Sequence, residues 1–474
     1  MHSDSTMYTR DSRDTLMIDS AKKQSITSPM VVTKWKRILK TISVEPAMVL
    51  FYTNYIITDF INTNLYIQKN CRNDTSREPN LTTDCDNIGR GVGYVNNVNY
   101  YFRYSLVSLM VIHTILSLCW SDRAGRKRKP FIVLPIIGQI LQILVACFQS
   151  YFWYLPPHFA VASDLLFQVL SGGFVLCLNT CITYTNDISS VEERTMKMSI
   201  IFALQVICAP IGSGVSGFLL TGLGFFYSYV VCLVLATMSL ICGLFLIKDV
   251  SIPVEKKPTY LSFFSVADVV DSVKMVFRKS LGSKRPIVMV LLLIHVTVFF
   301  NFEGQKSVFY LYFKYRFKWN EKTYSIYVMC KLIGLTFGTF FCSLIMSKYL
   351  KIHDGIIGSF ASFWDTMASI GYVFANQNWQ LYLIPALDIF HGTAIAIHYS
   401  FISKYFEYNE YGRLTSALNV FSLFIPVCHP IFSYLFHQTM DTFPSAFFIV
   451  GGAFDFVTFL LYGLSYYLCK RIMS

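Results

Sequence analysis

Charge is scarce in this chain. Of 474 residues, only 14% are Asp, Glu, Lys or Arg, against about 25% in a soluble domain. That shortfall excludes a disordered chain and argues against an ordinary cytosolic enzyme. No G-x-x-x-x-G-K-[ST] phosphate loop occurs, and no soluble segment is large enough for a nucleotide domain, which disfavours an ATP-driven pump. No apolar leader-type stretch precedes residue 46, so no cleaved signal peptide is expected and the first spanning segment serves as the insertion signal. Eleven of the thirteen cysteines lie in or beside apolar segments without metal-ligand spacing and read as small packing residues. Neither a metal nor a cofactor is expected.

What the chain has in excess is apolar surface: 54% hydrophobic and 16% aromatic residues. These residues fall in runs of about 20, the length of helix that crosses a ~30 Å hydrocarbon layer. Twelve such segments are expected, near 46–66, 102–120, 130–150, 158–182, 196–220 and 225–247, then 286–311, 323–346, 354–375, 380–402, 413–436 and 443–468. The sequence therefore predicts an all-α integral membrane protein with twelve transmembrane helices, 46–247 in one half and 286–468 in the other. Residues 1–45 read as a mobile tail, 67–101 as an outer loop, 248–285 as a polar central loop and 469–474 as a short tail. Within the central loop, 263–277 suits an amphipathic helix on the membrane surface.

The net charge is +12, and its excess bases sit in short clusters between apolar runs. With the N-terminus inside, the inner stretches carry 29 Lys and Arg and the outer ones 9, with Lys306 and Lys331 inside helices. The positive-inside rule then puts both termini in the cytoplasm. Asn73-Asp74-Thr75 and Asn80-Leu81-Thr82 are glycosylation sequons in the loop placed outside. Cys71 and Cys85 bracket them and are disulfide candidates in that oxidising compartment. The partners implied are a lipid bilayer, a small organic solute and protons, without nucleic acid, and the chain is expected to act as a monomer.

After the second segment comes Ser121-Asp122-Arg123-Ala124-Gly125-Arg126-Lys127-Arg128-Lys129. Gly125 suits a tight turn, the cations suit the inner lipid surface, and Asp122 can pair with a nearby Arg. Asp122, Arg123, Gly125 and Arg126 thus form a candidate gate between two bundles. The string resembles the loop signature of the major facilitator superfamily. The small-residue stretch Pro210 to Gly217 is similar to that superfamily's glycine-rich fifth helix, where small residues let backbones approach closely. Glu45-Pro46, Asn186-Asp187-Ile188-Ser189-Ser190, Arg194-Thr195 with Met198, and Ser403-Lys404 followed by Gly412, Leu414, Ser416 and Ala417 resemble solute carrier family 46, which includes the proton-coupled folate transporter. The resemblance implies two six-helix bundles, a cavity lined by helices one, four, seven and ten, and proton-linked movement of an organic solute. Phe202, Asn301 and Tyr399 stand where the folate-carrying branch has charged side chains, which speaks against folate itself.

Helical angles at 100° per residue test that expectation. Asn54, Tyr55, Thr58, Asp59, Asn62 and Tyr66 on the first helix lie within about 140° of arc, a stripe too polar for lipid. Asp164 and Gln168 form an i,i+4 pair on the fourth. On the seventh, His295, Glu303 and Lys306 fall within about 80°, with Asn301 nearby. On the tenth, Asp388, His391 and His398 share about 80°. Each ionisable group at membrane depth costs about 2.5–3.5 kcal/mol, which points to a use, and proton coupling is the use that suits Asp, Glu and His. Asp59 and the Asp388/His391 pair are the leading proton candidates, with Glu303 next. Lys331 reads as a structural partner for an acid or as lining the path. Asp365 and Asp455 are read as structural, and His113 and His429 as packing residues. Three functions stay open: a proton-coupled symporter of an organic, anionic solute in the plasma or endolysosomal membrane, a facilitative carrier of the same fold, and a receptor or adaptor that does not transport.

Overall fold

The first helix, α1 (Glu45–Cys71), opens on an acid and a proline, both favourable at a helix start. The Glu45 carboxylate accepts the Ser43 backbone N–H at 2.7 Å. The computed structural model describes residues 43–72, 85–189, 191–249, 285–405, 418, 425 and 427–473. Asn73, Asn80, the tail before 43, the central stretch 250–284 and Gly412 to Ala417 lie outside them.

The remaining helices are α2 (Ile88–Arg123), α3 (Lys129–Tyr151), α4 (Pro157–Ile188), α5 (191–223), α6 (225–246), α7 (Arg285–Arg316), α8 (321–349), α9 (Asp354–Phe374), α10 (378–405), α11 (Cys428–Thr439) and α12 (Ala446–Met473). Gly224, with φ of 72°, separates α5 from α6, and Gly172, with φ of 74°, breaks α4. Only glycine takes such angles without strain.

The sequence expectation of a loop over 67–101 is too wide. Helix α1 runs on to Cys71, and α2 starts at Ile88, capped by the Asn87 side chain, which accepts the Arg90 N–H at 3.1 Å. These turns carry Asn, Gly and Gln, so hydropathy misses them although their backbones are helical. The structure joins Cys71 to Cys85 in a disulfide. The Arg90 guanidinium reinforces it, donating to the carbonyls of Asn70 at 2.6 Å and Arg72 at 2.8 Å.

Helices α1–α6 form one half and α7–α12 the other. The halves meet near the disulfide-bearing face. Asn96 donates to the Ser433 carbonyl at 2.8 Å, Asn99 to the Ser307 carbonyl at 3.1 Å, and Tyr310 to the Asn64 amide oxygen. Phe60 of α1 packs on Tyr310 and lies parallel to Tyr324. The small residues of α5 work as their type suggests: Gly212 abuts α1 at Ile56, while Gly214 and Gly217 abut α8 at Met329 and Ser325.

Candidate functional site

Helix α10 is interrupted where its chemistry lies. Pro385 weakens the ladder, residues Asp388–Phe390 form a 3₁₀ turn, and the α-helix resumes at His391. The break leaves Asp388 6% exposed. Its carboxylate meets the Lys331 ammonium of α8 at 2.6 Å. That ammonium also lies over the rings of Phe309 (4.5 Å) and Tyr372 (5.4 Å), which stabilise a buried cation. One turn on, His391 Nδ1 sits 3.5 Å from Asp365 of α9 and 3.7 Å from Asp388, with its ring stacked on Phe302 of α7. Asp455 of α12 accepts from Asn301 at 2.6 Å and Ser369 at 3.3 Å, and Gln305 donates to Asn301 at 2.9 Å. Three carboxylates, one ammonium and one imidazole therefore share a buried region drawn from α8, α9, α10 and α12. Asp365 and Asp455, read from sequence as structural, belong to this network.

The other C-half candidates separate. His295 and His398 stack at 5.3 Å beside Tyr399, and His398 is 1% exposed. Glu303 and Lys306 pair at 3.4 Å along α7. The Lys306 side chain is 64% exposed yet sits in the middle of a spanning helix. Its electrostatic neighbours include Tyr52, Tyr55 and Asp59 of α1, so it faces the space between the halves. Across that space Phe174 of α4 stacks on Tyr52 at 5.3 Å and on Tyr55 at 5.1 Å.

The stripe on α1 divides. Tyr55 and Asp59 face the vestibule opposite Lys306. Thr58 turns to Cys232 of α6, and Asn62 accepts the Tyr229 hydroxyl at 2.7 Å. Asn54 lies one turn from Thr58 on the same buried face. These three polar residues fill the α1–α6 seam. Asp164 accepts from Gln168 at 2.7 Å, from Tyr66 at 3.1 Å and from Gln142 of α3.

On the opposite face, Gly125 and Arg126 turn the chain at φ of 81° and 61°. Arg128 carries the bridging there. It binds Asp122 and also Asp187 at the end of α4, at 2.9 Å, and Arg126 reaches Asp187 at 3.4 Å. The second motif thus supplies the acid for the first. Arg128 was legible only as one of several cations in a row.

Two packed six-helix halves with ionisable side chains buried among their helices have the architecture of a membrane carrier. The D-xylose–proton symporter has this fold, with a TM-score of 0.61 at 12% identity over 90% of this chain and 96% of that one. The human organic anion transporter MFSD10 matches likewise, with a TM-score of 0.61 at 13% identity over 88% and 97%. Residues 102–427 match the Major Facilitator Superfamily model, so the chain belongs to that superfamily and is a multi-pass membrane transporter. Its relatives there include members of solute carrier family 46. The lysosomal proton-coupled steroid conjugate and bile acid symporter of Bos taurus is 25% identical over 320 residues, 65% of this chain and 66% of that one. Its Gallus gallus counterpart is 22% identical over 80% and 84%. The probable peptidoglycan muropeptide transporter of Drosophila melanogaster is 22% identical over 73% and 67%.

Proposed function

We propose that the chain is a proton-coupled symporter of an amphipathic organic anion, working by alternating access. The observation that carries the proposal is the buried cluster of Asp365, Asp388, Asp455, Lys331 and His391. With every acid ionised and both bases charged it holds one net negative charge. A neutral imidazole makes that two. A low-dielectric site does not tolerate such excess, so the cluster takes a proton and can release it when the halves rearrange.

The vestibule fits the solute. Lys306 offers an exposed ammonium for an anionic group, and the Tyr52–Phe174–Tyr55 stack offers a flat apolar wall. Such a pair suits a rigid apolar body with one carboxylate or sulfate. The bovine and chicken relatives, lysosomal symporters of steroid conjugates and bile acids, support that class and an endolysosomal membrane. In that orientation the disulfide-bearing face is lumenal, where the acid that drives uptake is found.

Uptake of estrone sulfate and taurocholate into proteoliposomes at an outer pH of about 5.5 and about 7.5 tests this. Two pH units are worth about 2.7 kcal/mol per proton, about a hundredfold in accumulation at one-to-one coupling. A rate that rises on acidification is expected, and a flat profile refutes the coupling.

A further inference from the structure

The cluster above lies wholly in the C-half, yet the N-half contains a second buried polar site. Helix α3 presents Gln139, Gln142 and Gln149 on one face, since these positions fall within about 80° of arc. Gln149 is 0% exposed and both its amide atoms lack a hydrogen-bond partner. It lines an internal cavity of about 10 Å³ with Asp164, Gln142, Ser163 and Asn62. That is the size of one water, and a polar lining of this kind is where buried water is found. Gln139 is 4% exposed and its amide is equally unpartnered. It lines a second gap of about 10 Å³ with Gln142, Gln168 and Tyr55. Gln142 and Gln168 border that gap and both donate to Asp164, and Gln142 lines the first gap as well.

We propose that the cleft between α1, α3 and α4 is a hydrated proton-binding site, in which Asp164 holds the proton, a single water joins it directly to Gln149, and a second water beside Gln139 reaches it only through Gln142 and Gln168. Asp164 lines the first gap and so is positioned to exchange a proton with water there, the Tyr66 hydroxyl being able to turn from donor to acceptor when the carboxyl is protonated, and the two orphaned amides mark where water sits. Gln149 lies two residues from the α3 terminus on the disulfide-bearing face, whereas Tyr55 belongs to the vestibule. The site therefore lies inside one half, between the disulfide-bearing face and the space that Tyr55 borders. Each gap takes one water, so transfer passes through Asp164 and not through an open pore. The titratable groups beside it are Tyr66 of α1 and Tyr229 of α6; Asp59 acts on Tyr66 from along α1, and Cys232 of α6 and Cys147 of α3 act on Tyr229. Lys69, one turn beyond Tyr66, spends its ammonium on the Leu155 carbonyl at 2.9 Å. His113 of α2 lies two turns away beside Gly172.

The proposal rests on the reading of the chain as proton-linked, but on different residues, and one experiment separates the two. Infrared difference spectra of the full-length protein in liposomes, without solute, are titrated between about pH 4 and about pH 8 for wild type, Asp164→Asn, Asp388→Asn and Gln149→Leu. A titrating carboxyl band that Asp164→Asn removes and Asp388→Asn retains is expected. Gln149→Leu, which displaces the water, should shift that band and leave the rest unchanged. A wild-type spectrum in Asp164→Asn overturns the proton site, and an unshifted band in Gln149→Leu overturns the water. Should Asp164→Asn not fold, Asp164→Glu must keep a titrating band at an altered frequency, and an unaltered band overturns the proposal. If Asp388→Asn alters nothing while Asp164→Asn does, the C-half reading falls and this one stands.

Discussion

Replacing Lys331 by Met strands the Asp388 carboxylate, whose side chain is 7% exposed and whose ammonium partner sits at 2.6 Å. Breaking a buried pair from one side costs about 3–5 kcal/mol. The insertion scale for a charge at membrane depth gives about 2.5–3.5 kcal/mol, so two independent routes agree. The cation contact with Phe309 and Tyr372 is lost as well, which puts the total at the upper end. In a half of this size, 1 kcal/mol moves the midpoint by about 2–4 °C, so a fall of about 10–20 °C is expected. The double variant Lys331→Met/Asp388→Asn removes both charges and should melt within a few degrees of wild type, because a neutral pair of similar volume is close to isoenergetic with the ion pair. The single-variant deficit should shrink on acidification, when a proton takes the place of the missing ammonium. Cys342, Cys428 and Cys469 are buried free thiols while Cys330 is exposed, so with Cys330 replaced by Ser in every variant a thiol-reactive fluorophore in detergent reads the unfolding. A Lys331→Met protein melting within about 2 °C of wild type, or a double variant as unstable as the two singles added together, refutes the argument.

Three further outcomes follow from the same geometry. Lys306→Gln should raise KM for an anionic solute about 10–100-fold, the worth of a charged hydrogen bond, and leave a neutral analogue unaffected; equal effects on both would remove Lys306 from the solute site. Arg128→Ala takes the bridge from Asp122 and Asp187, so solute exchange should slow by about tenfold or more while the protein remains folded, and undiminished exchange would show that the bridge does not gate. Gly338→Ala sets a methyl against the Ile389 carbonyl, beside the break that holds Asp388. Both stability and the pH response should fall in that variant, and wild-type melting would show that α8 and α10 have room to part.

The helices were legible because the bilayer demands a fixed apolar length, and twelve runs met it. The Asp388/His391 pair was legible because both lie on one face of one helix. The partners from other helices were not: nothing in the periodicity of α9 or α12 says that Asp365 faces His391, or that Asp455 faces Asn301. Such pairings depend on how helices cross, which a single-helix angle does not contain. The α1 stripe shows the same limit. An arc of about 140° is wide enough to serve two surfaces, and Thr58 and Asn62 went to α6 while Tyr55 and Asp59 went to the vestibule. Gln139 and Gln149 escaped notice because a neutral amide in an apolar helix carries no charge signal.

The seam between the halves has a bearing on how the carrier cycles. Its hydrogen bonds among the described residues join neutral groups: two asparagine amides on backbone oxygens, one tyrosine on an asparagine, and the Ser216 and Ser325 hydroxyls at 3.4 Å, beside one cation contact of Lys322 over the Phe218 ring at 5.1 Å. At about 0.5–1.5 kcal/mol apiece these stitches total about 2–6 kcal/mol. Inverting a population from 1:99 to 99:1 takes about 5.5 kcal/mol. A cargo that prefers one posture by that margin can offset these hydrogen bonds by itself, whereas ion pairs in the same positions would have held the closure harder.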